Sequence, residues 1–187
     1  MDVRDAIRAR RSVKKLQAPA PSASQVAELL ELAATAPDHG GLSPWRFTVL
    51  EGPALEAFPL DAGSSPMVVV VGVEPQGDKI RADEQTAAVA AATQLLLLAA
   101  DSMGYGAMWR TGSAAYDPAV ARAAGLSPSG RIVAFVHLGT PADGTSGSSA
   151  RPSAPTPSAA PAPADGAAAA VTPAAGDGSL GIGSLRS

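Results

Sequence analysis

Residues 83–103 constrain the fold of this chain more than any other stretch. The run is rich in Ala and Leu, and apolar side chains fall on nearly every side of a helix drawn through it. A helix that is apolar all round must be buried nearly all round. A small domain has little interior in which to hide one. Two copies of the chain packed along it solve the problem, so the helix predicts a homodimer. Asp83 and Glu84 open it, where acids suit the helix dipole; a catalytic carboxylate is the other reading of that pair. Gly104 ends it.

The elements around this helix are shorter. Residues 2–10 read as a helix with Val3, Ala6 and Ile7 on one face. After Pro19 and Pro21, Ser22 or Ser24 caps a second helix that runs to about Thr35, its apolar face made by Val26, Leu29, Leu30 and Ala33. Residues 37–41 form a loop. Residues 46–50 alternate as a strand does, and 67–73 are a continuous apolar run, the mark of a strand covered on both faces. Between them, 52–66 read as irregular with one short turn. Residues 105–109 are extended, 117–124 form a short helix capped by Asp117 and Pro118, and 131–138 make a final strand. The class is α+β, in three layers, with a small mixed sheet between helices.

Composition divides the chain and narrows its function. Residues 1–141 have a globular mixture, whereas 142–187 are Ala, Pro, Gly, Ser and Thr with few large aliphatics and no aromatic residue. Such a segment buries too little apolar surface to offset its ordering entropy, so a disordered tail is expected there. There is no cysteine among the 187 residues, which excludes disulfides, thiolate catalysis and cysteine-bound metal. With only two histidines, a metal site is not expected. The net charge of −3 gives no electrostatic reason for a nucleic-acid partner. Early charges at Asp2, Arg4 and Asp5 argue against a signal peptide, and the most apolar stretch, 87–100, is shorter than the roughly 20 residues that span a bilayer. The expected location is the cytoplasm, with no membrane association.

Arg10-Arg11-Ser12-Val13-Lys14-Lys15 concentrates positive charge and a hydroxyl where the first helix ends. Arg offers a bidentate fork to a phosphate and Ser adds a neutral donor. On composition alone, the commoner explanation of such a run is a solvated helix end. His39, taken alone, is a histidine of a surface turn. Trp45 is a packing anchor, and Trp109 is explained equally well as core. Arg110 is harder to place in a core, because an unpaired buried guanidinium is costly. His137, at an alternating position in the last strand, reads as structural. No Gly-x-Gly-x-x-Gly or Walker segment is present.

Four segments in order resemble the nitroreductase family, in particular its short YdjA-like branch. They are Arg10-Arg11-Ser12-Val13-Lys14; Ala36-Pro37-Asp38-His39 leading to Pro44-Trp45-Arg46-Phe47; Gly104-Tyr105-Gly106-Ala107-Met108-Trp109-Arg110-Thr111-Gly112; and an apolar strand closing on Leu138-Gly139-Thr140-Pro141. The resemblance covers residues 1–141. It implies the nitroreductase-type three-layer fold, with the long helix at a homodimer interface and two FMN sites there. Arg10, Arg11 and Ser12 would hold the FMN phosphate and ribityl chain, and Lys14 would lie near the pyrimidine edge or the nicotinamide. A cation there favours an anionic reduced flavin. His39, arriving from the other subunit, would touch the same flavin. Thr35 stands where close members of the branch carry an Arg for FMN. Trp109, Arg110 and Thr111 would line the isoalloxazine ring. The implied activity is reduction of a nitroaromatic, quinone or similar small acceptor by NAD(P)H in a ping-pong scheme, which needs no catalytic protein nucleophile.

The sequence departs from that family in two places. Residues 52–66 are short where a further helix is usual, and 57–65 offer only Asp61 and serines where an Asn and a Lys commonly meet the pyrimidine ring. The family's C-terminal segment often supplies a cation to the phosphate; Arg151 is the sole candidate between Arg131 and Arg186. These departures define the alternative, a flavin-sequestering dimer with little turnover.

Overall fold

Strand β3 (Met67–Val73) is buried at every position and sits at the centre of the sheet. In the computed structural model, which describes residues 2–77 and 79–142, β2 (Trp45–Glu51) pairs with it on one side and β5 (Arg131–Pro141) on the other. Two further strands, β4 (Gly106–Arg110) and the short β1 (Leu16–Gln17), pair with β5. All these pairs are antiparallel; one isolated parallel bridge joins Ser12 to Ala107. The expected tail lies outside the described residues from 143 onward, and so does Arg151.

The two faces of the sheet carry separate cores. Val69, Val71, Val136 and Leu138 face α2 (Ala23–Ala33) and α4 (Ala82–Ser102). Val68, Val70 and Phe135 face α3 (Gly52–Ala57), the 3₁₀ turn Ser113–Tyr116 and α5 (Pro118–Ala123). This gives the expected three layers. Helix α2 starts on a capping box between Ser22 and Gln25, and its buried residues are Val26, Leu29 and Ala33.

Three elements bear on the expectations. First, the 52–66 stretch is not irregular throughout, because it begins with the helix α3. Pro53 presets the backbone of its first turn, and Leu55 and Phe58 anchor it in the second core. Six residues are too few to display a helical period. Second, a single chain leaves part of α4 uncovered, as the sequence led us to expect of one subunit. Val89, Ala92, Thr93, Leu96 and Ala100 are buried, whereas Ala87 and Gln94 are exposed and Ala91, Leu95 and Leu98 only half-buried. The polar residues on the buried side are satisfied: the Thr93 hydroxyl donates to the Val89 carbonyl, and the Gln85 amide donates to the carbonyls of Gln76 and Ile80. Third, helix α1 (Val3–Ala9) buries none of its residues, and Val3 and Ile7 on its apolar face are exposed.

Candidate functional site

Helix α1 ends at Ala9, and the carbonyls of its last turn need partners. Arg11 supplies them: its Nη1 donates to the carbonyls of Arg8, Ala9 and Arg10 at 2.5, 2.9 and 3.0 Å. The chain then runs along the free edge of β4. Ser12 bridges Ala107, and the Val13 N–H donates to the Ala107 carbonyl at 3.0 Å. Close approach here depends on Gly106. A Cβ at that position would lie 2.6 Å from Cδ2 of Leu16 and 3.2 Å from Cβ of Val13. Both neighbours are buried.

This docking holds Arg10 half-buried at the end of α1. Its Nη1 is shielded from solvent and makes no hydrogen bond. Ser12 is half-buried beside it in sequence, and Lys14 is exposed. The structure therefore brings the Arg10–Ser12 segment onto β4, the strand that carries Trp109 and Arg110.

Successive residues of β4 point to opposite faces. Trp109 packs, half-buried, against the α2–α4 core, so its core reading is part of the answer. Arg110 faces the other way and is exposed, which removes the objection to an unpaired buried guanidinium. Thr111 is exposed too, and Gly112 turns the chain at a φ of 68°. Arg110 and Thr111 line a cavity of about 250 Å³ together with Asp61 and His137.

His137 is 2% exposed. Its Nδ1 is 2.9 Å from the Ser65 hydroxyl, and its Nε2 is buried without a hydrogen bond of normal geometry. Burial, reinforced by the positive charge of Arg110, pushes its pKa down to about 4, while the Ala62 carbonyl and the Asp61 carboxylate pull the other way. The ring is neutral at neutral pH. Its burial agrees with a structural residue; the pairing with Ser65, 72 residues away, was invisible in the sequence.

His39 and Thr35 lie elsewhere. The Thr35 hydroxyl donates to the Leu32 carbonyl at 2.7 Å, closing the end of α2. His39 Nδ1 is 2.8 Å from Oε2 of Glu84 at the start of α4. Both side chains remain largely exposed, beside Ala87 and Ala91 on the uncovered strip of α4. Glu84, one of the two acids read as a dipole partner or a catalytic carboxylate, is thus the hydrogen-bond partner of His39. Within one chain His39 is hydrogen-bonded to Glu84 and not to Arg10, Arg11, Ser12 or Lys14.

Comparison with known proteins agrees with this architecture. The nitroreductase family model matches residues 7–62 and 61–140. An Escherichia coli protein named "Putative NAD(P)H nitroreductase YdjA" is 31% identical over 163 residues, covering 75% of this chain and 89% of that protein. A Haemophilus influenzae protein named "Putative NAD(P)H nitroreductase" is 33% identical with the same coverage. Among solved structures, a nitroreductase-like family protein from Bacillus cereus superimposes with a TM-score of 0.71 at 26% identity, covering 81% of this chain and 92% of that one. A "putative nitroreductase in complex with fmn" from Desulfovibrio desulfuricans gives a TM-score of 0.70 at 26% identity, covering 84% of this chain and 99% of that one. The chain belongs to the nitroreductase family.

Proposed function

We propose that the chain is an FMN-dependent NAD(P)H oxidoreductase, working in the cytoplasm as a homodimer and passing electrons to a nitroaromatic, a quinone or a similar small acceptor in a ping-pong cycle. The observation that carries this reading is Nη1 of Arg10, buried without a partner. An orphaned buried donor costs roughly 1–3 kcal/mol, and more on a charged group. A phosphate oxygen at that point would satisfy it with a charge-assisted hydrogen bond. The relatives named as NAD(P)H nitroreductases and the Desulfovibrio relative in complex with FMN support the choice of cofactor and reductant.

When bound, FMN supplies the two-electron redox chemistry. Arg10 and Ser12 hold the phosphate and ribityl end. Arg11 adds positive charge there while its Nη1 stays on the α1 carbonyls. Lys14 serves the pyrimidine edge or the nicotinamide. Trp109, Arg110 and Thr111 line the ring, and reductant and acceptor use one pocket in turn. His39, oriented by Glu84, and Thr35 contribute from the partner across the uncovered strip of α4. The alternative, a flavin-sequestering dimer with little turnover, draws support from the ring end. There the chain beyond α3 offers the Asp61 carboxylate and the hydroxyls of Ser64 and Ser65, and no cation.

Replacing Arg10 and Ser12 together by Ala should strip FMN from the purified protein, read as the ratio of flavin to protein absorbance. Unchanged flavin content contradicts the phosphate assignment.

A further inference from the structure

Gln85 is a buried amide in the first turn of α4, a helix whose other buried residues are apolar apart from Thr93. A buried polar side chain has to find partners inside the protein. Gln85 finds them on the connection from β3 to α4. Its Oε1 accepts the Gln76 N–H at 2.8 Å, and its Nε2 donates to the carbonyls of Gln76 and Ile80, each at 3.0 Å. Gln76 is exposed, so water could satisfy its backbone as well. What the amide adds over water is position: it fixes where Ile80 lies.

That position matters to the loop before β2. The Ile80 side chain lies against Gly40, the residue after His39: a Cβ on Gly40 would meet Cγ1 of Ile80 at 3.8 Å and its Cδ1 at 4.0 Å. Glu84, next to Gln85 in the chain, holds Nδ1 of His39 at 2.8 Å. At the other end of the loop the Glu74 N–H donates to the Pro44 carbonyl at 2.8 Å. The start of α4 thus reaches the loop by two routes, one directly to His39 and one through Ile80 to Gly40. The direct route joins two exposed side chains, and contacts of that kind are weak. The route through Ile80 is anchored on a buried, hydrogen-bonded amide, so it is the firmer of the two.

We infer, resting on the proposed reading in which His39 meets the partner subunit's flavin, that Gln85 is a positioning residue of that site. Its own polar atoms are spent on Gln76 and Ile80. By fixing Ile80 against Gly40 it holds the His39 ring in place. Ile80 is the link, so cutting Ile80 has the same effect on His39 as cutting Gln85.

His39 and His137 are the only histidines, so histidine-selective isotope labelling gives two ring signals in a magnetic resonance spectrum, and the one lost in His39→Ala belongs to His39. In Gln85→Met, which keeps the length of the side chain and loses its bonds, the His39 signal should shift and the His137 signal should not. Ile80→Ala should shift the His39 signal too. Circular dichroism checks that each variant folds, and Ile80→Ala keeps the test decisive if Gln85→Met does not. An unmoved His39 signal in the folded variants overturns the positioning role. Dilution of the flavin-loaded protein, with released FMN read by its fluorescence, gives the effect on cofactor affinity. His39→Ala and Gln85→Met should each weaken FMN binding about three- to tenfold, the range of one hydrogen bond. The double variant should bind FMN no more weakly than His39→Ala alone. Additive losses overturn the inference, because Gln85 would then act without His39. Equal FMN retention by His39→Ala and the parent protein sinks the reading of His39 as a flavin contact, while the two ring signals still decide whether Gln85 holds His39.

Discussion

Arg10 and Arg11 are adjacent and chemically alike, yet they do different work. Arg11 spends Nη1 on three carbonyls at the end of α1, while Arg10 keeps a buried Nη1 unpaired. Sequence marked both as anion ligands because charge is visible in a sequence and hydrogen-bond satisfaction is not. His137 makes the same point. Its strand position announced a structural residue, but the Ser65 hydroxyl that meets its ring comes from a distant loop. The depressed pKa of His137 has a consequence for stability. The unfolded ring titrates near 6.5 and the folded ring near 4, so between these values the unfolded state binds more protons. Stability is therefore complete above about pH 6.5 and falls as pH drops toward 4. Thermal midpoints measured across that window should decline in the native protein and decline less in His137→Leu. Equal pH dependence in the two proteins would remove His137 as the cause.

At the scale of elements, legibility followed length and pattern. The unbroken apolar run of β3 fixed its bounds at Met67–Val73, and α4 lies within a residue of its expected limits. Strand β1 has two residues and α3 has six, too few for either period to show. The docking of the Arg10–Val13 segment on β4 was hidden for another reason. It depends on Gly106, whose missing side chain matters only against Leu16 and Val13 in space. Gly106→Ala should cost about 1–3 kcal/mol by overpacking, read from the denaturant midpoint. It should also weaken FMN retention, because the same contact positions Arg10. A variant with native stability and native flavin content would show that the contact has slack. The uncovered strip of α4 carries a separate prediction. Leu95→Glu places a charge on it, where a second copy would have to bury that charge. Light scattering should then find monomers for the variant and dimers for the parent protein; a variant that is dimeric places the interface elsewhere.

For the whole molecule, the sheet has two cores and two different outlooks. One face is closed by α2 and α4, and α4 in turn presents Glu84, hydrogen-bonded to His39 of the loop before β2, and the strip of Ala87, Ala91 and Leu95 outward. The other face, under α3 and α5, holds His137 and its cavity. The four recognised segments were enough to place the chain in the nitroreductase family, because they lie where the backbone is most constrained: a helix end, a loop before β2, β4 and β5. What they do not report is whether the shortened region between β2 and β3 still grips the ring end of a flavin, since that depends on side chains the sequence lacks there. Function is decided at that point. The direct measurement is the absorbance of the purified protein under anaerobic conditions, before and after NADH or NADPH is added. The expected result is a flavin spectrum that bleaches with reductant and returns when a quinone is supplied; a flavin spectrum that neither nicotinamide bleaches would contradict an oxidoreductase and leave a flavin-binding dimer.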